Sequence, residues 1–145
     1  PLEIVFFGEG PDRHALERET SALPWIRFVG HVSPIQDHLA AVDLFAFPSR
    51  HEGLGSVLLE AMMSKIPVVA TQVGGIPDIV ADSSSGLLVA PNDAGALCYA
   101  ITRLIDDPAF ADRLVLEAMR AACSMGPESM AKMYELQYSH AARQI

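Results

Sequence analysis

Short apolar runs and helical stretches alternate through the first ninety residues of this chain, and that alternation restricts its fold more than any other feature. The runs Leu2–Phe7, Trp25–Gly30, Leu44–Pro48, Pro67–Thr71 and Gly86–Ala90 are too short for helices. They are continuous in apolar character, the pattern of strands buried on both faces of a sheet. Between them Pro11–Ala22, Pro34–Val42, Gly55–Ser64 and Ile76–Ala81 read as helices. Strand and helix in strict succession predict an α/β fold built on a doubly wound parallel sheet of five strands with right-handed crossovers.

After Ala90 only helices are expected. Leu97, Ala100, Ile101, Leu104 and Ile105 fall on one helical stripe behind a cap at Asn92 or Asp93. A second helix should open at Pro108 behind Asp107, because proline fits a first turn. A third, striped by Met130, Met133, Tyr134 and Tyr138, should open at Pro127 after the break at Met125-Gly126. A chain of 145 residues, half of them apolar, can bury one sizeable core, so a single domain covering residues 1–145 is expected.

Charge limits the partners. Ten Lys and Arg against eighteen Asp and Glu give a net charge of −8, which argues against nonspecific attraction to nucleic acid or to an anionic membrane surface. Any anionic ligand must be held locally. Cys98 and Cys123 match no disulfide or zinc pattern, and no apolar run reaches the roughly 20 residues that span a bilayer. With no charged-then-apolar leader at its start, the chain reads as cytoplasmic. It enters an apolar run directly after Pro1, as a piece beginning inside a domain would.

Ligands of open α/β sheets settle beyond the carboxyl ends of the strands. After the first run, Gly8-Glu9-Gly10-Pro11 allows a tight turn and close backbone approach, as a ligand loop or as a plain turn. It lacks the third glycine of a dinucleotide fingerprint, and no Gly-Lys-Ser/Thr phosphate loop occurs. After the second run, His31 and Val32 bring an imidazole to the sheet edge, where it can serve a ligand or satisfy a neighbouring carbonyl. No nucleophile elbow or hydrolase triad is readable. The segment after the third run, from Ser49 to Met62, is the richest. Gly53 and Gly55 strip side chains from a helix entrance made by Gly53, Leu54, Gly55, Ser56 and Val57, leaving amides that favour a phosphate.

Glu52 stands at the mouth of that turn and Glu60 eight positions on, so both carboxylates could face one cleft. Ser56, Glu60 and Ser64 also form a polar stripe spaced by four, which periodicity alone reads equally well as a solvent-facing one. Apolar neighbours on most sides of Glu60 favour a cavity or a partner. Glu52 reads either as a ligand group or as a first-turn dipole partner. After the fourth run, Gly74-Gly75-Ile76-Pro77 offers either a second entrance of bare amides or a plain turn.

In this order the segments resemble the large retaining glycosyltransferase family 4 of the GT-B fold, in its second, donor-binding domain. The resemblance covers nearly the whole chain. It is carried by Gly8-Glu9-Gly10-Pro11, Phe28-Val29-Gly30, Ala41-Val42-Asp43 before Leu44-Phe45-Ala46-Phe47-Pro48-Ser49, Glu52-Gly53-Leu54-Gly55 with Glu60-Ala61-Met62, Pro67-Val68-Val69-Ala70-Thr71, Gly74-Gly75-Ile76-Pro77 and Gly86-Leu87-Leu88-Val89.

The resemblance implies a nucleoside diphosphate sugar as donor. Glu52 would contact the transferred sugar as the catalytic residue, and the Gly53 to Ser56 amides would lie near the sugar and its phosphate. Glu60 would grip the ribose hydroxyls, and the backbone around His31 and Val32 would border the base, with Gly8 and Gly10 also counted in the donor site. Neither metal nor cofactor is expected. The family's diphosphate-neutralising Arg and Lys, and its acceptor domain, precede the segment at which this chain starts. Through that N-terminal domain would come a sugar, lipid-linked or other acceptor, with room for peripheral membrane association of the full-length enzyme, and this chain alone is expected to be inactive.

Lys65 stands where the family usually carries glycine, which costs about 1 kcal/mol if a left-handed cap is needed there. Met125-Gly126 and Asp78 also depart from the family pattern. Two alternatives remain: a non-catalytic nucleotide-sugar-binding or regulatory module, and a GT-B nucleotide-sugar epimerase.

Overall fold

The computed structural model describes residues 2–126 of the chain. The helix expected from Pro127 lies outside the described residues. Two compact units divide the chain, Pro1–His38 and Leu39–Ile145.

In the first unit, β1 (Ile4–Phe7) and β2 (Ile26–Gly30) form a parallel pair connected through α1 (Arg13–Glu19), and α2 (Gln36–Leu39) begins near the unit's end. Register sets Ile4 against Ile26 and Phe6 against Phe28. The two phenyl rings stack with centroids 4.7 Å apart, a cross-strand pair that adds to the ladder hydrogen bonds.

The expectation of strands buried on both faces fails here. Ile4 and Phe6 are 37% and 41% exposed while Val5 and Phe7 are half-buried, the period-two signature of a one-sided strand. Within this unit the cover comes from a seven-residue helix that has no buried residue of its own. Both helices of this unit are also shorter than expected, α1 starting two residues after Pro11 and α2 reduced to a single turn.

The second unit holds the core. Its strands β3 (Phe45–Phe47), β4 (Val68–Thr71) and β5 (Leu87–Val89) form a parallel sheet in that spatial order, with Phe45 opposite Val68 and Val69 opposite Leu87. All four residues of the central strand are buried, as a continuous apolar run between two neighbours should be. The crossovers carry α3 (Val57–Met63) and the one-turn α4 (Ile76–Ile79).

Two longer helices follow, α5 (Ala94–Asp106) and α6 (Pro108–Ser124). Val69, Leu87 and Val89 of the sheet pack with Ala100 and Leu104 of α5 and with Phe110, Ala111 and Leu114 of α6. Of the residues expected on the α5 stripe, Ile105 is 51% exposed. It lies about 80° from Leu97 around the helix axis, at the edge of the buried arc.

The helix starts follow their caps. The Asp93 carboxylate accepts a hydrogen bond from the Ala96 amide at 2.8 Å, and that of Asp107 accepts from Phe110 at 3.0 Å with Pro108 behind it. Asp93 rather than Asn92 therefore caps α5, and Asn92 takes a left-handed φ of 61°. The α3 terminus confirms the requirement anticipated at Lys65. Lys65 has φ 62°, its amide donates to Met62 and that of Ile66 reaches back to Ala61, both at 3.2 Å. This is a Schellman cap with a lysine in the position that favours glycine.

Candidate functional site

The residues singled out from sequence fall into both units: Gly8, Gly10, His31 and Val32 in the first, and Glu52 to Val57 with Glu60 in the second.

In the first unit the Gly8 amide donates to the Gly30 carbonyl at 2.7 Å, so this amide is already engaged by the neighbouring strand end. Gly10 has open space where a side chain would begin. Gly30 is buried, and a β-carbon there would stand 2.7 Å from Glu9 Oε1. The Glu9 carboxylate is held over it by Arg13, whose guanidinium also donates to Glu17 at 2.8 Å and to the Phe28 carbonyl at 3.5 Å. The hydrogen bond from Arg13 holds the Glu17 carboxyl below the usual carboxylate range, against a smaller opposing effect of desolvation. His31 is exposed and Val32 half-buried. The Glu9–Arg13–Glu17 chain is legible in sequence only as spacings of four on a helix and its entrance.

In the second unit the loop from β3 to α3 carries Glu52 in a tight turn. The Glu52 side chain is half-buried and folds back so that Oε1 accepts from the Gly53 amide at 2.9 Å. Gly55 is buried at φ 71°, and a β-carbon there would meet Ile76, Leu58 and the Glu52 side chain at 3.3 to 3.4 Å. The turn thus packs against the start of α4 and the first turn of α3. Leu58 donates to the Gly55 carbonyl and Leu59 to that of Ser56, whereas the amides of Ser56 and Val57 meet no acceptor among the described residues. These are the open donors that a helix start leaves by geometry. Leu54 and Ser56 are exposed beside them.

Glu60 sits one turn into α3, between buried Leu58, Ala61 and Met62. It is half-buried, and its carboxylate pairs with no cation among the described residues. Its position is intermediate between the two sequence readings: neither the free solvent face of a polar stripe nor a closed interior. Ser64 closes that stripe by donating to the Glu60 carbonyl, through its amide at 3.0 Å and its hydroxyl at 2.8 Å.

Gly74-Gly75 has a packing role. The Gly75 amide donates to the Gly53 carbonyl at 2.8 Å, and a β-carbon on Gly74 would fall 1.8 Å from the Glu52 carbonyl oxygen. The pair therefore clasps the Glu52–Gly53 backbone, and the Gly75 amide is spent on protein rather than left bare for a ligand. Thr71, 4% exposed at the end of β4, donates its hydroxyl proton to the Ser49 carbonyl at 2.5 Å. Sequence reasoning passed over both contacts, because their partners lie about twenty positions away and leave no periodic trace.

Comparison with known proteins places this arrangement. A family described as glycosyl transferases group 1 matches residues 1–107. The sulfoquinovosyl transferase SQD2 of Arabidopsis thaliana is 37% identical over 109 residues, which cover 72% of this chain and 21% of that protein. The structure of sucrose-phosphate synthase from Thermosynechococcus elongatus superposes with a TM-score of 0.82 at 28% identity, over 99% of this chain and 39% of that one. HepE of Anabaena, solved in complex with UDP, gives 0.82 at 23% identity over 97% of this chain and 41% of that one. Among the described residues no helix is long and apolar enough to cross a membrane. The chain spans between 21% and 37% of the length of the first curated relatives it matches. A family match through residue 107, and a solved relative of the same fold aligned over nearly the whole chain, make this chain a member of the group 1 glycosyl transferases.

Proposed function

We propose that this chain is the donor-binding domain of a retaining, cytoplasmic glycosyltransferase of family 4, which transfers a sugar from a nucleoside diphosphate sugar to an acceptor held by the rest of the enzyme. The observation that carries the proposal is the turn at Glu52. A half-buried carboxylate, bonded to the Gly53 amide and packed against Gly55, shares one turn with the unengaged amides of Ser56 and Val57, so an acceptor for sugar hydroxyls and donors for a phosphate come from the same loop. The open amides also let a chain of net charge −8 contribute locally to holding a phosphate.

In this reading the acceptor attacks on the face from which the diphosphate departs. Glu52 orients the sugar and stabilises the positive charge that develops on it, while the amides of Gly53, Leu54, Gly55, Ser56 and Val57 border the sugar and its phosphate. Glu60 accepts from the ribose hydroxyls, and Gly8, Gly10, His31 and Val32 belong to the base side. HepE of Anabaena, whose fold this chain shares, has also been solved with UDP-glucose, which supports a nucleotide-sugar donor. Titration of the 15N-labelled chain with UDP, GDP and ADP tests the assignment. Shifts at the amides of Gly53 to Glu60 with one nucleotide, absent in Glu60→Ala, are expected. No shift there with any of the three would overturn it.

A further inference from the structure

We infer that Thr71 is a positioning residue for Glu52, acting through its buried hydroxyl. The loop that presents Glu52 leaves β3 at Phe47 and enters α3 at Val57, and two tethers hold it. The Thr71 hydroxyl binds the Ser49 carbonyl at 2.5 Å, and the Gly75 amide binds the Gly53 carbonyl at 2.8 Å. Both tethers come from one short stretch, the end of β4 and the turn that follows it. Glu52 lies between them, with its own carbonyl laid over Gly74.

The chemistry of Thr71 says what its hydroxyl is for. The residue is 4% exposed in a strand whose other members are Val68, Val69 and Ala70. Valine would fill the same space with better strand propensity. A hydroxyl has one proton, and the Phe47 carbonyl at 3.5 Å is too far to compete for it. The proton therefore fixes Ser49, three residues before Glu52. Removing it would leave a carbonyl without its donor and free the upstream arm of the loop, while the Gly75 tether still held the downstream arm.

The test uses Thr71→Val, which keeps the volume, and Thr71→Ser, which keeps the hydroxyl. Backbone amide exchange is read first. In Thr71→Val the Gly53 amide should exchange about fivefold faster or more, with Gly75, Val69 and Met62 changed less than about twofold, and Thr71→Ser should restore it. UDP-, GDP- and ADP-glucose are titrated into the same samples, and whichever the wild-type chain binds should bind about fivefold more weakly to Thr71→Val and normally to Thr71→Ser. If Thr71→Val does not fold, Thr71→Cys, with a weak thiol donor of similar size, is read in its place.

Unchanged exchange at Gly53, uniform acceleration across the unit, or failure of serine to rescue would each overturn the inference. The titration arm rests on the proposed donor site and the exchange arm does not. A wild-type chain that ignores UDP-, GDP- and ADP-glucose alike would sink the donor reading while exchange still decided Thr71.

Discussion

Replacing Lys65 with glycine should stabilise the protein, although it deletes a side chain and adds no contact. Lys65 holds φ 62° between the last turn of α3 and β4, in a cap closed by the Lys65 and Ile66 amides on Met62 and Ala61. Ile66 and Ala61 are both buried, so the chain cannot relax into another exit without uncovering them. The left-handed conformation costs an L-residue about 1 to 2 kcal/mol, and glycine removes that cost. Glycine also loses more freedom on folding, which returns about 0.4 to 1 kcal/mol. The net expectation is a gain of about 0.5 to 1 kcal/mol. For a domain of this size that raises Tm by about 2 to 3 °C.

Urea and thermal unfolding followed by circular dichroism would measure it, with Lys65→Ala as control. Alanine removes the same charge from the helix terminus but keeps the β-carbon, so the strain should persist. If Lys65→Ala gains as much as Lys65→Gly, the effect belongs to the lysine side chain and the backbone argument is wrong.

Other expectations follow from single contacts. Gly74→Ala places a methyl group 1.8 Å from the Glu52 carbonyl oxygen at a φ of 52°, and should cost at least about 2 kcal/mol in urea unfolding; a loss below half of that would mean the clasp is not tight. Asp107→Ala removes the acceptor for the Phe110 amide and should cost about 1 kcal/mol, with Asp107→Asn recovering most of it. Glu17 should titrate below the ordinary carboxylate range, and in Arg13→Gln its value should rise. Because the folded value is the lower one, this pairing stabilises the fold above the ordinary carboxylate pKa and ceases to do so as pH falls through the depressed value. A carbon-detected titration of Glu17 that is the same in both proteins would contradict it.

What could be read from sequence divides by the range of the interaction behind it. All five strands were legible within two residues at each end, because a continuous apolar run constrains the residues inside it and needs no knowledge of its partners. Which strands are covered was not. Ile4 and Val68 look alike in sequence, yet one is 37% exposed and the other fully buried, since burial depends on how many layers the rest of the chain supplies. The caps show the same boundary at smaller scale. Asn92 and Asp93 are both good capping residues, and the backbone assigned the left-handed position to one and the carboxylate cap to the other.

At the site, Glu52 and the glycines beside it stood out by composition. Thr71 did not, and Gly74-Gly75 stood out only as a bare-amide entrance or a plain turn, because the contacts that explain both reach back to Ser49, Glu52 and Gly53 across a whole crossover. The geometry of a loop that must present one carboxylate is therefore set largely by residues that carry no chemistry of their own. Substitutions in the β4 to α4 turn should accordingly act on Glu52 more strongly than exchanges at exposed Arg50 or His51, which stand next to it in sequence.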